Sequence, residues 1–311
     1  MKDELVVKCK LYVQNRDILK SEFKWASSNM LPLCAYMYTQ KGRKVDAVRI
    51  EECRQIIMKH IGVFSKVKGQ EEIPLATLLS LETSAEKAFA RRVEVYRLLK
   101  KEFETTSYLP IIAFAMVGAA SSNTVDYAKV ISRAKRLEEQ IQSEFAGNQI
   151  AECSGISVLL ALSGKSEDKL LEDLKMAYGL FSNLELEESS IPMLCYAIIV
   201  GQGEVLDSCE KVMSAYSILA KRRIKLQRVG EMTALELVAN SQQQVEDYIN
   251  DSMEMNTYLK EQKGFDLLSI SSAERHMFSL MLAADSNRQY LETQIVLIAA
   301  VYSTMLVAVL D

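Results

Sequence analysis

Two hydrophobic patterns alternate along this chain. The first is short and apolar nearly all the way round: LPLCAYMY (31–38), IPLATLLSL (73–81), LPIIAFAMVGAA (109–120), SGISVLLAL (154–162), IPMLCYAIIV (191–200), VGEMTALELVA (229–239) and, more weakly, SSAERHMFSLMLAA (271–284). A segment apolar on every face predicts a helix enclosed by other structure. The second pattern is longer and one-sided. Phe89, Val93, Tyr96, Leu99 and Phe103 fall at spacings of three and four, as do Val130, Ala134, Leu137, Ile141 and Phe145, and again Val205, Cys209, Val212, Tyr216 and Leu219. That spacing lines one face of a helix and leaves Lys, Arg and Glu on the other.

The two patterns keep a common register. Fourteen residues separate Tyr96 from Pro110, Tyr178 from Pro192, Tyr216 from Gly230, His60 from Pro74, Ile141 from Gly155 and Tyr258 from Ser272. The second member of each pair opens an enclosed helix, where proline is tolerated because its missing N–H would have no partner within the first turn. Five positions after the openers come Met37, Leu79, Ala115, Leu160, Ala197, Leu235 and Met277, all apolar. Successive openers from Pro32 to Ser272 lie 36 to 45 residues apart. A period of that length belongs to helical hairpins that cannot bury their apolar faces alone and stack into one core. The expected fold is all-α, an array of about six to seven stacked antiparallel helix hairpins, superhelical or solenoid-like. Residues 1–30 are expected to form an N-terminal helix or cap, 31–285 the array, and 286–311 an apolar C-terminal helix packed on it.

Composition agrees with the pattern. In 311 residues there are only four prolines and twelve glycines, so many β-turns or a flexible linker are excluded. A net charge of −4 gives no overall attraction to nucleic acid or anionic membrane. Six separated cysteines without a C-x-x-C pair fit reduced thiols in a cytoplasmic protein better than a disulfide framework. The opening MKDELVVKCKLYVQ mixes charge into its apolar residues and lacks the apolar centre of a signal peptide. The run IVLIAAVYSTMLVAVL (295–310) is shorter than a usual membrane span and reads first as a buried helix, next as a contact between copies and last as a membrane anchor.

Candidate chemistry is sparse. His60 and His276 stand without a carboxylate at metal-ligand spacing and read as packed core residues, so no metal site and no cofactor are expected. VGQGEV (200–205) follows a helix, whereas a nucleotide loop needs a preceding strand. In LSGKSEDK (162–169), Ser166 reads as a helix cap with Glu167 and Asp168 facing the positive end of the dipole. Cys34, Cys195, Cys53 and Cys209 fall on apolar helix faces, where inert packing is expected. One cluster stands out: KRRIKLQR, with Lys221, Arg222, Arg223, Lys225 and Arg228. It is either the cationic end of a helix or a patch for an anionic partner.

Two stretches, IGVFSKVKGQEEIPLATLLSLETSAEKAFARRVEVYRLLKKEF (61–103) and LLEDLKMAYGLFSNLELEESSIPMLCYAIIVGQGE (170–204), resemble a bacterial family known as a domain of unknown function, the one numbered four thousand and three, found mainly in Gram-positive bacteria. The resemblance runs over roughly 20–310 and implies a shared fold without an activity. It departs at SEFAGNQIAEC (143–153), where relatives often carry a histidine and an aromatic. The functional expectation is a non-enzymatic scaffold that binds a protein or peptide. The alternative is a helical enzyme or small-ligand sensor with a pocket inside the array. Copies of the chain could associate through the C-terminal helix.

Overall fold

The computed structural model describes residues 1–26, 30–60, 72–103, 109–119, 125–149, 156–184, 186–201, 203–265 and 269–284. Cys153, Gly155 and the apolar C-terminal helix expected at 286–311, with its run at 295–310, lie outside the described residues. Among those described, the secondary structure is helical throughout, with no strand.

Each one-sided helix is followed by an enclosed helix that packs back on it. α1 (Asp3–Glu22) pairs with α2 (Leu31–Gln40), α3 (Ala47–Lys59) with α4 (Glu72–Ser80), α5 (Ala85–Glu102) with α6 (Leu109–Ala119), and α7 (Tyr127–Glu144) with α8 (Ser157–Leu162). α9 (Glu167–Phe181) pairs with α10 (Ile191–Ile199). α11 (Val205–Lys221) pairs with α13 (Glu236–Ala239), the second half of a broken helix whose first half is α12 (Val229–Thr233). α14 (Val245–Lys260) pairs with α15 (Ser272–Ala283). The fold is therefore an all-α array of hairpins, with the N-terminal helix serving as the outer half of the first one.

The enclosed helices form the inner layer. Pro32 and Pro192 sit in the first turn of α2 and α10, as their fixed φ allows. Met37, Leu79, Ala115, Leu160, Ala197, Leu235 and Met277 are all buried, so the residue five places after each opener points into packing in every unit. Burying a leucine of this kind contributes about 1.5–3 kcal/mol. Outer helices start on caps: Asp46 accepts from the Arg49 N–H at 2.9 Å, and Ser166 from the Lys169 N–H at 3.2 Å. Ser166 thus caps α9 as its sequence context predicts. The sixth inner helix departs from expectation. Instead of one helix over 229–239, the chain turns at Ala234–Leu235, where Leu235 donates to the Met232 carbonyl and Leu237 to that of Ala234 in tighter i→i+3 bonds.

Neighbouring hairpins pack side by side, and the array closes on itself. α14 lies against α1, and α15 against α2. The ammonium of Lys2 meets Asp251 at 2.6 Å, and Gln40 donates to the Met281 carbonyl at 3.0 Å. The Tyr12 ring sits 5.5 Å from Phe265 and 5.9 Å from Phe278, centre to centre. Beside it the Arg16 guanidinium lies 4.6 Å over the Phe265 ring and donates to the Lys263 carbonyl. Further round, α7 meets α9 through Arg136 and Glu167 at 3.1 Å and through Lys175 and Glu144 at 2.8 Å. The result is a ring with two rims. One carries the outer-to-inner connections and the first turns of the inner helices, and the other carries the inner-to-outer turns.

Candidate partner-binding surface

The basic cluster lies on the first of these rims, between α11 and α12. Lys221 is the last residue of α11, Arg222 its C-cap, and Arg228 the N-cap of α12. Lys221, Arg222, Arg223, Lys225 and Arg228 are all exposed. The connection alternates: Ile224 is half-buried and Leu226 buried, while Arg223, Lys225 and Gln227 face solvent. Period-two alternation in an extended segment anchors one side and turns the other outward, so the cations are presented together.

Backbone bonds hold this turn rigid. The Ile224 N–H donates to the Leu219 carbonyl at 3.0 Å, and the Arg223 N–H to that of Ala220 at 2.9 Å. This pair of bonds closes a Schellman motif, which places residue 223 at the position where helices favour glycine. Arg223 has φ 61° and is the one non-glycine residue with positive φ among those described. Downstream, the buried Glu231 carboxylate accepts from the backbone N–H groups of Gln227 at 3.0 Å and Arg228 at 3.1 Å. Ser190 donates to the Gln227 carbonyl at 2.6 Å, fastening the turn to the neighbouring loop.

The charges point outward and are not consumed internally. Arg222 donates to the Asn250 side-chain carbonyl at 2.7 Å. Among the described residues no carboxylate lies within 4.0 Å of any of the five cations. Arg228 acts on one acid at longer range: burial raises the Glu274 carboxyl above the usual carboxylate range, Arg228 opposes that rise, and Glu231 adds to it. The sequence identified the cations but not their supports, Glu231, Ser190 and Asn250. These come from an inner helix, the preceding loop and the next outer helix, and no local spacing joins them.

Other candidates come out differently. His60 is not in the core. α3 ends at Lys59, so the imidazole of His60 is exposed, bonded through Nδ1 to the Ile56 carbonyl and 5.4 Å from the Phe89 ring. His276 is buried, and burial together with Arg275 pulls its pKa down to about 4, so at neutral pH it carries no proton to donate as an imidazolium. Burial pushes the thiols of Cys9, Cys34 and Cys209 up to about 12 and that of Cys53 to about 11, which makes them inert at neutral pH. A shallow cleft of about 550 Å³ runs along the α1–α14 seam, lined by Lys10, Val13, Gln14, Asp17, Ile18, Ser21 and Tyr258. Its polar groups stand in line along one helix and do not converge, unlike those of a catalytic pocket.

Among the described residues no group of three His, Cys, Asp or Glu is placed to hold a metal ion, and no helix is long and apolar enough to cross a membrane. In comparison with known proteins, the family described as a protein of unknown function (DUF4003) matches residues 15–310. No curated protein and no solved structure matches.

Proposed function

The chain belongs to the DUF4003 family, and from its geometry we propose that it is a non-enzymatic interaction protein that holds an acidic segment of a protein partner. One observation carries the reading: five exposed cations on a turn that is locked in place, with no ion pair among the described residues, in a chain whose net charge is −4. Preorganised cations lose little freedom on meeting carboxylates, and arginine's planar fork pairs with them in a defined geometry. The ring of repeated hairpins acts as the rigid frame for the turn. The cytoplasm suits this role, since Cys9, Cys34, Cys53, Cys195 and Cys209 are all buried free thiols.

The test is fluorescence anisotropy with a labelled glutamate-rich peptide and with a lysine-rich control. The wild-type chain binds only the acidic peptide, and more weakly as salt rises. Lys221→Ala with Lys225→Ala weakens that binding roughly tenfold, as expected for two charge contacts of about 0.7 kcal/mol each. Equal affinity of the double variant, or no preference for the acidic peptide, removes the basis for the proposal.

A further inference from the structure

We propose that a second copy of this chain is an acidic partner of the basic turn, and that two copies join face to face across this rim on a two-fold axis. This rests on the reading of the turn as an acid-binding element and names its occupant.

The complement lies next to the turn. The connection from α9 to α10 runs beside it, joined by the bond from Ser190 to the Gln227 carbonyl at 2.6 Å. That connection carries Glu187 and Glu188, both exposed, with no cation within 4.0 Å among the described residues. Adjacent patches of opposite sign therefore share one rim, and each faces solvent. The same two connections carry Leu184, Leu186 and Ile224, half-buried side chains that pack on the core and leave apolar surface exposed.

A two-fold contact requires one patch that is complementary to itself. Side-by-side patches of opposite charge meet that requirement. A half-turn about an axis lying in the contact plane, running between the two patches, lays the basic turn of each copy on Glu187 and Glu188 of the other. The exposed parts of Leu184, Leu186 and Ile224 on the same connections add apolar surface to the charged contact, as protein interfaces combine the two. Within one chain the two patches lie side by side and leave their charges uncombined. A second copy facing them combines both sets at once.

Light scattering after size exclusion, on the full chain, tests this. At low ionic strength the species carries twice the 35.0 kDa of one chain, and in about 0.5 M salt it falls to the single mass as the charges are screened. Glu187→Lys with Glu188→Lys makes both connections basic and leaves single chains. Lys221→Glu with Arg222→Glu and Lys225→Glu leaves only Arg223 and Arg228 against three new carboxylates, so both connections become net acidic, and also leaves single chains. Mixing the two variants in equal amounts restores the double mass, because both crossed contacts are again of opposite sign. Neither set of substitutions removes a buried group or the left-handed position at residue 223, and matching circular dichroism spectra verify folding. A wild-type chain that stays single at every salt and concentration overturns the inference, and so does a mixture that stays single. If such a single chain still binds the glutamate-rich peptide, the turn keeps its proposed role and only the second copy is lost as its partner.

Discussion

Arg223 lets the strain in the basic turn be measured apart from its charge. At φ 61° its Cβ crowds the backbone, and a non-glycine residue held there costs about 1–2 kcal/mol. Arg223→Gly relieves that cost. Glycine also loses more freedom on folding, which takes back about 0.5–1 kcal/mol. The net expectation is a chain more stable by about 0.5–1 kcal/mol, a two- to fivefold rise in the folding equilibrium constant. The Schellman bonds from Arg223 and Ile224 are both made by backbone groups and survive the substitution. Urea unfolding monitored by circular dichroism reads the change as a higher midpoint at unchanged slope. Arg223→Ala separates the two effects, because it removes the charge but keeps the strained geometry and so shows no such gain. If Arg223→Gly proves less stable than the wild type, the left-handed geometry is not a cost here and the account of the turn is wrong. If the turn binds acid as proposed, the glycine variant is at once more stable and a weaker binder, the trade expected where strain is retained at a working site.

Other expectations concern the frame. Gly264 has φ 81°, and a Cβ there would meet the Arg16 guanidinium, so Gly264→Ala should cost about 2–3 kcal/mol in urea unfolding and raise hydrogen exchange in α1 and α14; protection unchanged in both helices would contradict the closure. His276 has a folded pKa of about 4 against 6.5 for an ordinary histidine. The unfolded chain therefore binds the extra proton between those values, and stability falls as pH drops through 6.5 toward 4, by about 3 kcal/mol at most. His276→Gln should lose that part of the pH dependence, and identical pH profiles for the two proteins would refute it. At pH 8 in native buffer, Cys9, Cys34, Cys53 and Cys209 should resist iodoacetamide in peptide mapping and react only after unfolding, since burial raises each thiol to about 11 or 12; rapid native alkylation at any of them would show that its site is open.

The fold was legible where local physics governs. Pro32, Pro74, Pro110 and Pro192 lie in the opening turns of their helices, and the buried residues five places on confirm the shared register. His60 faces solvent although its register position predicts the core, because α3 stops one residue earlier and turns the ring outward. The break between α12 and α13 was hidden because an all-apolar pattern looks the same through a tight turn. Closure of the array was equally out of reach. It depends on the small rotation between successive hairpins, summed round the chain, and no window of sequence records that sum. The five cations of the candidate site could be read as a run of basic letters. Their exposure could not, since it follows from Ile224 and Leu226 turning inward and from Glu231 holding the turn from below.

Joining α1 to α14 and α15 to α2 also changes how the protein should come apart. A linear stack frays from its outermost modules, each of which has support on a single flank, and can lose them one by one. A circle has no outermost module. Removing any hairpin exposes two broken flanks at once, so melting should proceed as a single concerted event, and the number of hairpins cannot drift by duplication or loss without reopening the circle.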